Sequence, residues 1–272
     1  MKIYLNGKLV NQEDARVGVF DPGFLYGQAV FETMRAYNRK IFRLDSHIGR
    51  LLASAARINI TSTVTADVLK EAAARCLKEN NLKDAYVRVT LWQAEEQETA
   101  MAVFAKSYNF LSEKDYQNGF KSVILQTFRQ NEYSPLSGIK SANYLPLLLA
   151  YQEAKRRGAD EALLLNTQGM LAEASRANIF LVKDNCLLTP SLNCGCLPGI
   201  TRDTVLGIAG REKIKAIETK ITPDDLKRAD EAFLTNSLIE AMPLVLVDGK
   251  PIHKGTPGII TETIHKRYRQ LL

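Results

Sequence analysis

Histidine is nearly missing from this chain: three occur in 272 residues, at His47, His253 and His265. Scattered so far apart, they do not spell a metal cluster. Cysteine is almost as rare, and Cys76, Cys186, Cys194 and Cys196 are too few for a disulfide framework in a chain of this length. Cys194-Gly195-Cys196 has no second cysteine pair or nearby histidine to complete four ligands, so no metal is expected. No apolar run approaches the roughly 20 residues needed to cross a bilayer. The opening Met1-Lys2-Ile3-Tyr4-Leu5-Asn6-Gly7 is too short and too polar for the core of a signal peptide, which makes the cytoplasm the expected location. A Walker phosphate loop, a Gly-x-Gly-x-x-Gly fingerprint, a zinc-protease helix and a Gly-x-Ser-x-Gly elbow are also missing.

A strong charge imbalance is absent too. The formal charge is +6, from 36 basic and 30 acidic residues, and the basic residues are spread among acids. The densest run, Lys266-Arg267-Tyr268-Arg269, falls in the last turns of an expected C-terminal helix, where cations suit the helix dipole. No nucleic-acid partner is expected, and anionic small molecules fit as well.

What is present reads as α+β. The chain opens on a strand, an Asn6-Gly7 turn and a second strand. Asp21-Pro22-Gly23 is a turn, and 29–37 reads as a buried strand. Asp45 is a candidate cap for a helix over 46–58, with Ile48, Leu51, Leu52 and Ala55 at helical spacing. A second helix runs to Asn80 from about Thr65, and strands are expected over 85–92 and 101–107. The polar stretch 111–118 is the candidate boundary, giving a small α+β domain over 1–114 and a larger one over 115–272. In the second part a strand near 120–128 leads to a long helix over 141–157 with Pro146 early in it. Strands over 161–166, 178–182, 186–189, 232–235 and 244–247 alternate with helices near 201–209, at 222–226 and from about 258. Hairpins and short turns join most strands, so α+β is favoured over a doubly wound sheet.

Four features carry candidate chemistry, each with a plainer reading. Lys140 leads into the apolar Tyr144-Leu145-Pro146-Leu147-Leu148-Leu149, where burial would lower its pKa and free the amine as a nucleophile; a lysine whose ammonium reaches water is the plainer case. Pro198-Gly199-Ile200-Thr201 places free amides and a hydroxyl at a helix start, a small phosphate cradle or an ordinary cap. Thr235-Asn236-Ser237 is rich in hydrogen-bonding side chains, for a phosphate or for a polar turn. Glu173 precedes an apolar strand, either against a buried cation or in solvent.

The order and spacing of these features resemble the class IV aminotransferases, the fold-type IV pyridoxal-phosphate enzymes, over essentially the whole chain. The resemblance also takes in Phe24-Leu25-Tyr26-Gly27, Val30-Phe31-Glu32-Thr33 and His47-Ile48-Gly49-Arg50-Leu51. It implies a two-domain fold, a small α+β domain and a larger one with a barrel-like core, with pyridoxal 5′-phosphate between them. By the same resemblance Lys140 matches the Schiff-base lysine that also shuttles the substrate proton. Glu173 matches the acid on the pyridine nitrogen, with Asn178 behind it, and Tyr144 lies near the phenolic oxygen. Arg50, Ile200, Thr201 and Ser237 match the phosphate ligands. The family also implies at least a homodimer.

The reaction is less sharply written. Tyr86-Val87-Arg88 resembles the Tyr-x-Arg strand of branched-chain aminotransferases, whose side chains face substrate. Phe31-Glu32-Thr33-Met34-Arg35 and Thr235-Asn236-Ser237-Leu238-Ile239-Glu240 look closer to 4-amino-4-deoxychorismate lyases. Ile139-Lys140-Ser141-Ala142-Asn143 resembles D-amino-acid aminotransferases, but the Arg-x-His carboxylate trap expected of them is absent from residues 92–99, leaving Arg35 and Arg88 as anchors. The expectation is an aminotransferase exchanging an amino group between a small, mainly apolar amino acid and a 2-oxo acid. Phe31, Arg35, Tyr86, Arg88 and Leu238 are its candidate substrate contacts. The lyase, or a D-amino-acid or amine transaminase, is the alternative.

Overall fold

The computed structural model describes residues 1–60, 64–95 and 98–272. Glu96 and Gln97, within the stretch searched for an Arg-x-His pair, lie outside the described residues. The chain divides into two compact units, Met1–Asn109 with Ile139–Tyr144, and Phe110–Gly138 with Leu145–Leu272.

The first unit is a six-stranded antiparallel sheet in the order β2-β1-β6-β5-β3-β4. Its strands are β1 (Lys2–Leu5), β2 (Lys8–Asn11), β3 (Ala29–Tyr37), β4 (Lys40–Ile41), β5 (Ala85–Gln93) and β6 (Thr99–Lys106). Asn6 and Gly7 both take positive φ, 45° and 86°, as the tight hairpin turn between β1 and β2 requires. The expected turn at Asp21 opens instead a short helix, α1 (Pro22–Tyr26), with Pro22 in its first turn and Gly27 left-handed at its end. Helices α2 (Leu44–Arg57) and α3 (Ala66–Glu79) cover one face with Ile48, Leu51, Ala55, Leu69, Ala72, Ala73 and Cys76, all buried. Thr65 caps α3 by accepting from the Val68 amide. Asp45 is not the cap of α2; it sits in the first turn and bonds Lys70 Nζ at 3.1 Å.

Alternation along β3 sorts its side chains. Val30, Glu32, Met34 and Ala36 share the face toward α2; Phe31, Thr33, Arg35 and Tyr37 share the other. Opposite them in register are Thr90, Arg88 and Tyr86 of β5. Residues 139–144 join this unit as an added edge: Ser141 bridges Val30, Phe31 N donates to Lys140 O at 3.0 Å, and Ala142 N donates to Ala29 O at 2.8 Å. These bonds explain why the helix expected from Ser141 starts four residues later.

In the second unit α4 (Glu113–Asn118) occupies the stretch expected to be irregular. Ser112 and Asp115 form a capping box that starts it. The sheet runs β12-β11-β10-β13-β14-β7-β8-β9, with β15 on β14. Its strands are β7 (Phe120–Gln130), β8 (Glu161–Asn166), β9 (Leu171–Ala174), β10 (Asn178–Lys183), β11 (Cys186–Pro190), β12 (Ala216–Thr219), β13 (Glu231–Asn236), β14 (Glu240–Val247) and β15 (Lys250–Pro251). Three neighbours pair parallel, β7 with β8, β7 with β14 and β11 with β12; the rest are antiparallel. The sheet curls until β9, at its far edge, returns to β10, where Ala174 N donates to Ala177 O. Inside lie Leu163, Leu165, Leu171, Ile179, Leu181, Leu234 and Leu244, closed by Ile221 and Leu226. Such side chains contribute about 1.5–3 kcal/mol each on burial.

Four helices complete the unit: α5 (Leu145–Arg156), α6 (Ile200–Arg211), α7 (Pro223–Lys227) and α8 (Ile259–Arg269). The small side chains Ala150 and Ala154 let α5 settle on Leu125, Ala162 and Leu164. Thr222 caps α7 in a second capping box, with Pro223 behind it.

Candidate active site

In the first unit Lys140 is half-buried at the edge of β3. Its Nζ lies 4.8 Å from the centre of the Phe31 ring and 5.9 Å from that of Tyr144, and the two rings meet edge to face at 5.5 Å. The Arg88 guanidinium covers Phe31 at 3.8 Å. Arg35 stacks on Tyr37 at 4.3 Å, and Tyr86 is flanked by Phe104 and Tyr108 at 5.9 and 6.0 Å. The sheet face therefore alternates aromatic rings with cations, a surface whose chemistry suits a carboxylate beside an apolar group. Lys140, Phe31, Tyr144 and Arg88 are brought into contact; Arg35 and Tyr86 lie further along the same face.

On the opposite face Arg50 makes a fork to a fully buried carboxylate. Its Nε donates to Glu32 Oε1 at 2.7 Å and its Nη2 to Glu32 Oε2 at 2.8 Å. His47, one turn before Arg50 on α2, places Nδ1 2.7 Å from Glu32 Oε2. Burial opposes charge on Glu32, but Arg50 and His47 outweigh it and bring the carboxyl down to about 2. Burial also lowers the His47 pKa against the pull of Glu32, so a neutral imidazole donates Nδ1–H to a carboxylate already balanced by arginine. Glu32 and His47 were visible in the sequence only as motif letters; an acid on the helix-facing side of β3 was the missed signal.

In the second unit Glu173 and Asn178 take hold of the backbone of one residue, Leu197. Leu197 N donates to Glu173 Oε2 at 3.0 Å, and Asn178 Nδ2 donates to Leu197 O at 2.9 Å. Gln130 Nε2 donates to Glu173 Oε1 at 3.3 Å and to Gly195 O at 3.1 Å. Just beyond Leu197, Gly199 precedes α6, which has no side-chain cap on its first-turn amides. A Cβ at Gly199 would stand 2.0 Å from Asn178 Oδ1, so only glycine fits while Asn178 keeps its bond. Ile200 and Thr201 occupy the first turn, at the positive end of the helix. Thr235 lies opposite Asn178 in register, and its Oγ1 is buried with no hydrogen-bond partner, a polar atom that costs about 1–3 kcal/mol unless a ligand meets it. Ser237 and Leu238 fill the turn between β13 and β14. Thr235 was read only as part of a polar stretch, because nothing in a sequence shows that a hydroxyl is left unpaired.

Of the two buried thiols beside this group, Cys194 and Cys196, Cys196 is held protonated. Burial, assisted by the charge of Glu173, pushes Cys196 up to about 12. Among the described residues no three His, Cys, Asp or Glu side chains gather as metal donors.

The second-unit group of first-turn amides and hydroxyls, with a buried acid bonded to Leu197 just before that turn, suits a phosphorylated ring cofactor. The half-buried amine of the first unit suits an aldehyde. Comparison with known proteins points the same way: the family profile described as amino-transferase class IV matches residues 29–247. The chain belongs to the class IV aminotransferase family. Among individual proteins it is similar to the branched-chain-amino-acid aminotransferase of Pseudomonas aeruginosa, 36% identical over 284 residues covering 99% of this chain and 92% of that one. Of solved structures, the branched-chain amino acid aminotransferase of Escherichia coli is 30% identical at a TM-score of 0.95, covering 99% of this chain and 94% of its own. The branched-chain aminotransferase of Thermoproteus uzoniensis, solved with norvaline, is 35% identical at 0.91, covering 99% and 94%. A further branched-chain enzyme among the similar structures, 30% identical at 0.93, was solved with pyridoxamine 5′-phosphate. The α+β fold expected from the sequence is thus that of fold-type IV aminotransferases.

Proposed function

We propose that this chain is a pyridoxal-phosphate-dependent transaminase that moves an amino group between a branched-chain or similar apolar amino acid and a 2-oxo acid. The observation that carries the reading is Lys140, a half-buried amine set against Phe31 and Tyr144 with Arg88 alongside. The names of the relatives support the choice of substrate.

The residues fit the cofactor chemically. An unpartnered buried hydroxyl at Thr235, uncapped amides at Ile200 and Thr201, and a glycine that admits no Cβ are what a phosphate needs at close range. Thr201, Ser237 and Arg50 add side-chain donors. When bound, pyridoxal phosphate supplies an aldehyde for amines and a protonated ring that accepts the electron pair left when a substrate Cα loses its proton. Lys140 Nζ would hold the aldehyde at rest and, once displaced by the amine of the substrate, would take that Cα proton. Glu173, oriented by Leu197 N and Gln130 Nε2, would keep the proton on the ring nitrogen, and Asn178 fixes Leu197 from the other side. The Tyr144 hydroxyl tunes the phenolic side of the ring. Phe31, Tyr86 and Leu238 offer apolar contact to the substrate side chain, and Arg88 and Arg35 offer charge to a carboxylate.

The enzyme is expected to work in the cytoplasm as a homodimer or larger homo-oligomer. Phe20, Phe24 and Tyr26 stand 68, 65 and 75% exposed on the first unit, a patch of the kind that self-association covers. The test is the absorbance spectrum of the purified protein with L-leucine, D-alanine and aminodeoxychorismate added in turn. A near-visible band that shifts with L-leucine, with release of the 2-oxo acid, is the expected result. A shift with D-alanine alone would reverse the stereochemistry, and 4-aminobenzoate with pyruvate would make it a lyase. A protein that takes up no pyridoxal phosphate would end the proposal.

A further inference from the structure

The turn that carries Ser237 and Leu238 is built from both ends. At its start Asn236 Oδ1 accepts from Leu238 N at 2.8 Å and from Ile239 N at 2.9 Å, while its Nδ2 donates to Arg176 O at 2.9 Å. At its end stands Glu240, paired with Asn236 across the ladder, fully buried, with φ at 55°. A non-glycine residue keeps that left-handed conformation only where its surroundings impose it.

Helix α8 supplies those surroundings. His265 Nε2 lies 2.8 Å from Glu240 Oε2, and Arg269 Nε donates to the same oxygen at 2.8 Å. The two are four residues apart and so share a helix face. Tyr116 of α4 closes the group. Its ring stacks on His265 at 4.1 Å, the Arg269 guanidinium lies over it at 5.2 Å, and its hydroxyl donates to Ile239 O at 3.4 Å. Glu113 binds the other end of the Arg269 guanidinium. The pair with Glu240 is buried only at its Glu240 end, Arg269 being about a third exposed; such a pair adds little stability compared with apolar packing, and its better-attested use is to fix one geometry.

We propose that His265 and Arg269 are positioning residues that act through Glu240 to fix the turn bearing Ser237 and Leu238, so that the C-terminal helix sets how tightly the cofactor phosphate is gripped. This rests on the cofactor reading above. The assay titrates the full-length apoprotein with pyridoxal 5′-phosphate and, separately, with pyridoxal, which has the aldehyde and ring but no phosphate.

Arg269→Gln is expected to weaken pyridoxal phosphate about tenfold while leaving pyridoxal within about twofold. Arg269→Lys, which loses the Nε donor but keeps charge, should show a smaller loss with the same selectivity, and it serves if the glutamine variant does not fold. Arg267→Gln, altering the neighbouring pair with Glu212, should change neither. Equal weakening of both compounds would mean that the cluster only holds the fold together, and no weakening of either would mean that it does nothing for the turn; each overturns the proposal. Wild type that bound neither compound would remove the cofactor reading and this inference with it, whereas wild type that binds beside variants that match it removes the inference alone.

Discussion

Glu32→Gln removes the charge of the fully buried acid that pairs with Arg50. The carboxyl titrates at about 2 in the folded protein and near its ordinary 4.5 once unfolded, a difference of roughly 2.5 pH units, or about 3 kcal/mol of stability. Because the folded value is the lower one, this stability is fully present above pH 4.5 and is lost as pH falls toward 2; by pH 3 about 2 kcal/mol of it is gone. His47 pushes the same way, since its lowered folded pKa lets the unfolded chain take up a proton first as pH drops below about 6.5. At pH 7 the variant takes the Glu32 charge from a partly buried guanidinium, a loss at or below the roughly 3–5 kcal/mol of a fully buried pair. Trp92, the one tryptophan, is buried in the same unit and donates Nε1–H to Asp21 at 2.8 Å, so its fluorescence reports this unit's unfolding. Urea unfolding of both proteins at pH 7 and pH 3 should show the gap between them narrowing by about 2 kcal/mol. A gap equally wide at both pH values would refute the argument, because Glu32 would then not be held ionised by its partners.

Lys140→Ala is expected to fold normally and abolish amino-group transfer; turnover at the wild-type rate would remove the lysine from its role. Thr235→Val replaces a buried, unpartnered hydroxyl with an isosteric methyl, so the cofactor-free protein should gain about 1 kcal/mol while pyridoxal phosphate binds more weakly, seen by melting with and without it. Gly199→Ala drives a Cβ into Asn178 Oδ1 and should cost about 2 kcal/mol or more, with partial recovery when Asn178→Ala is added; strictly additive losses would contradict the clash. With its pKa near 12, Cys196 should resist alkylation at pH 8 until the protein unfolds, and rapid labelling of the native protein would show the thiol to be more accessible than its burial implies.

Strong local signals made much of this fold readable. The Asn6-Gly7 hairpin, β3, the apolar stripe of α3 and the Thr222-Pro223 helix start all follow from turn chemistry, period and caps, and each stands where it was expected. Elements whose cause lies elsewhere in the chain were not readable. β9 is four buried residues with no alternation, strand only because β8 pairs with it; β12 is largely exposed and exists through β11. Residues 141–144 have helical composition but are drawn into extended pairing by the edge of β3. At the site, types and spacing made Lys140 and Glu173 candidates beside plainer readings, and only the resemblance gave them roles. The partners that orient such groups, Glu32 for Arg50 and Gln130 for Glu173, were hidden because hydrogen bonds between distant segments leave no local pattern.

The segment 139–144 that bonds to the edge of β3 bears on the order in which the chain can assemble. Ser141 meets Val30 only after the ends of a loop of roughly a hundred residues have come together, and contacts of such long range are slow to form. The backbone on either side of Lys140 is held by Phe31 and Ala29, so the lysine reaches its place only when that loop has closed. If Lys140 has the role proposed for it, a chain with its helices and most of its ladders formed would still be inactive. Recovery of activity after denaturation should therefore lag behind recovery of secondary structure, and cutting the chain at residue 109 would leave the first unit without the segment that carries its amine.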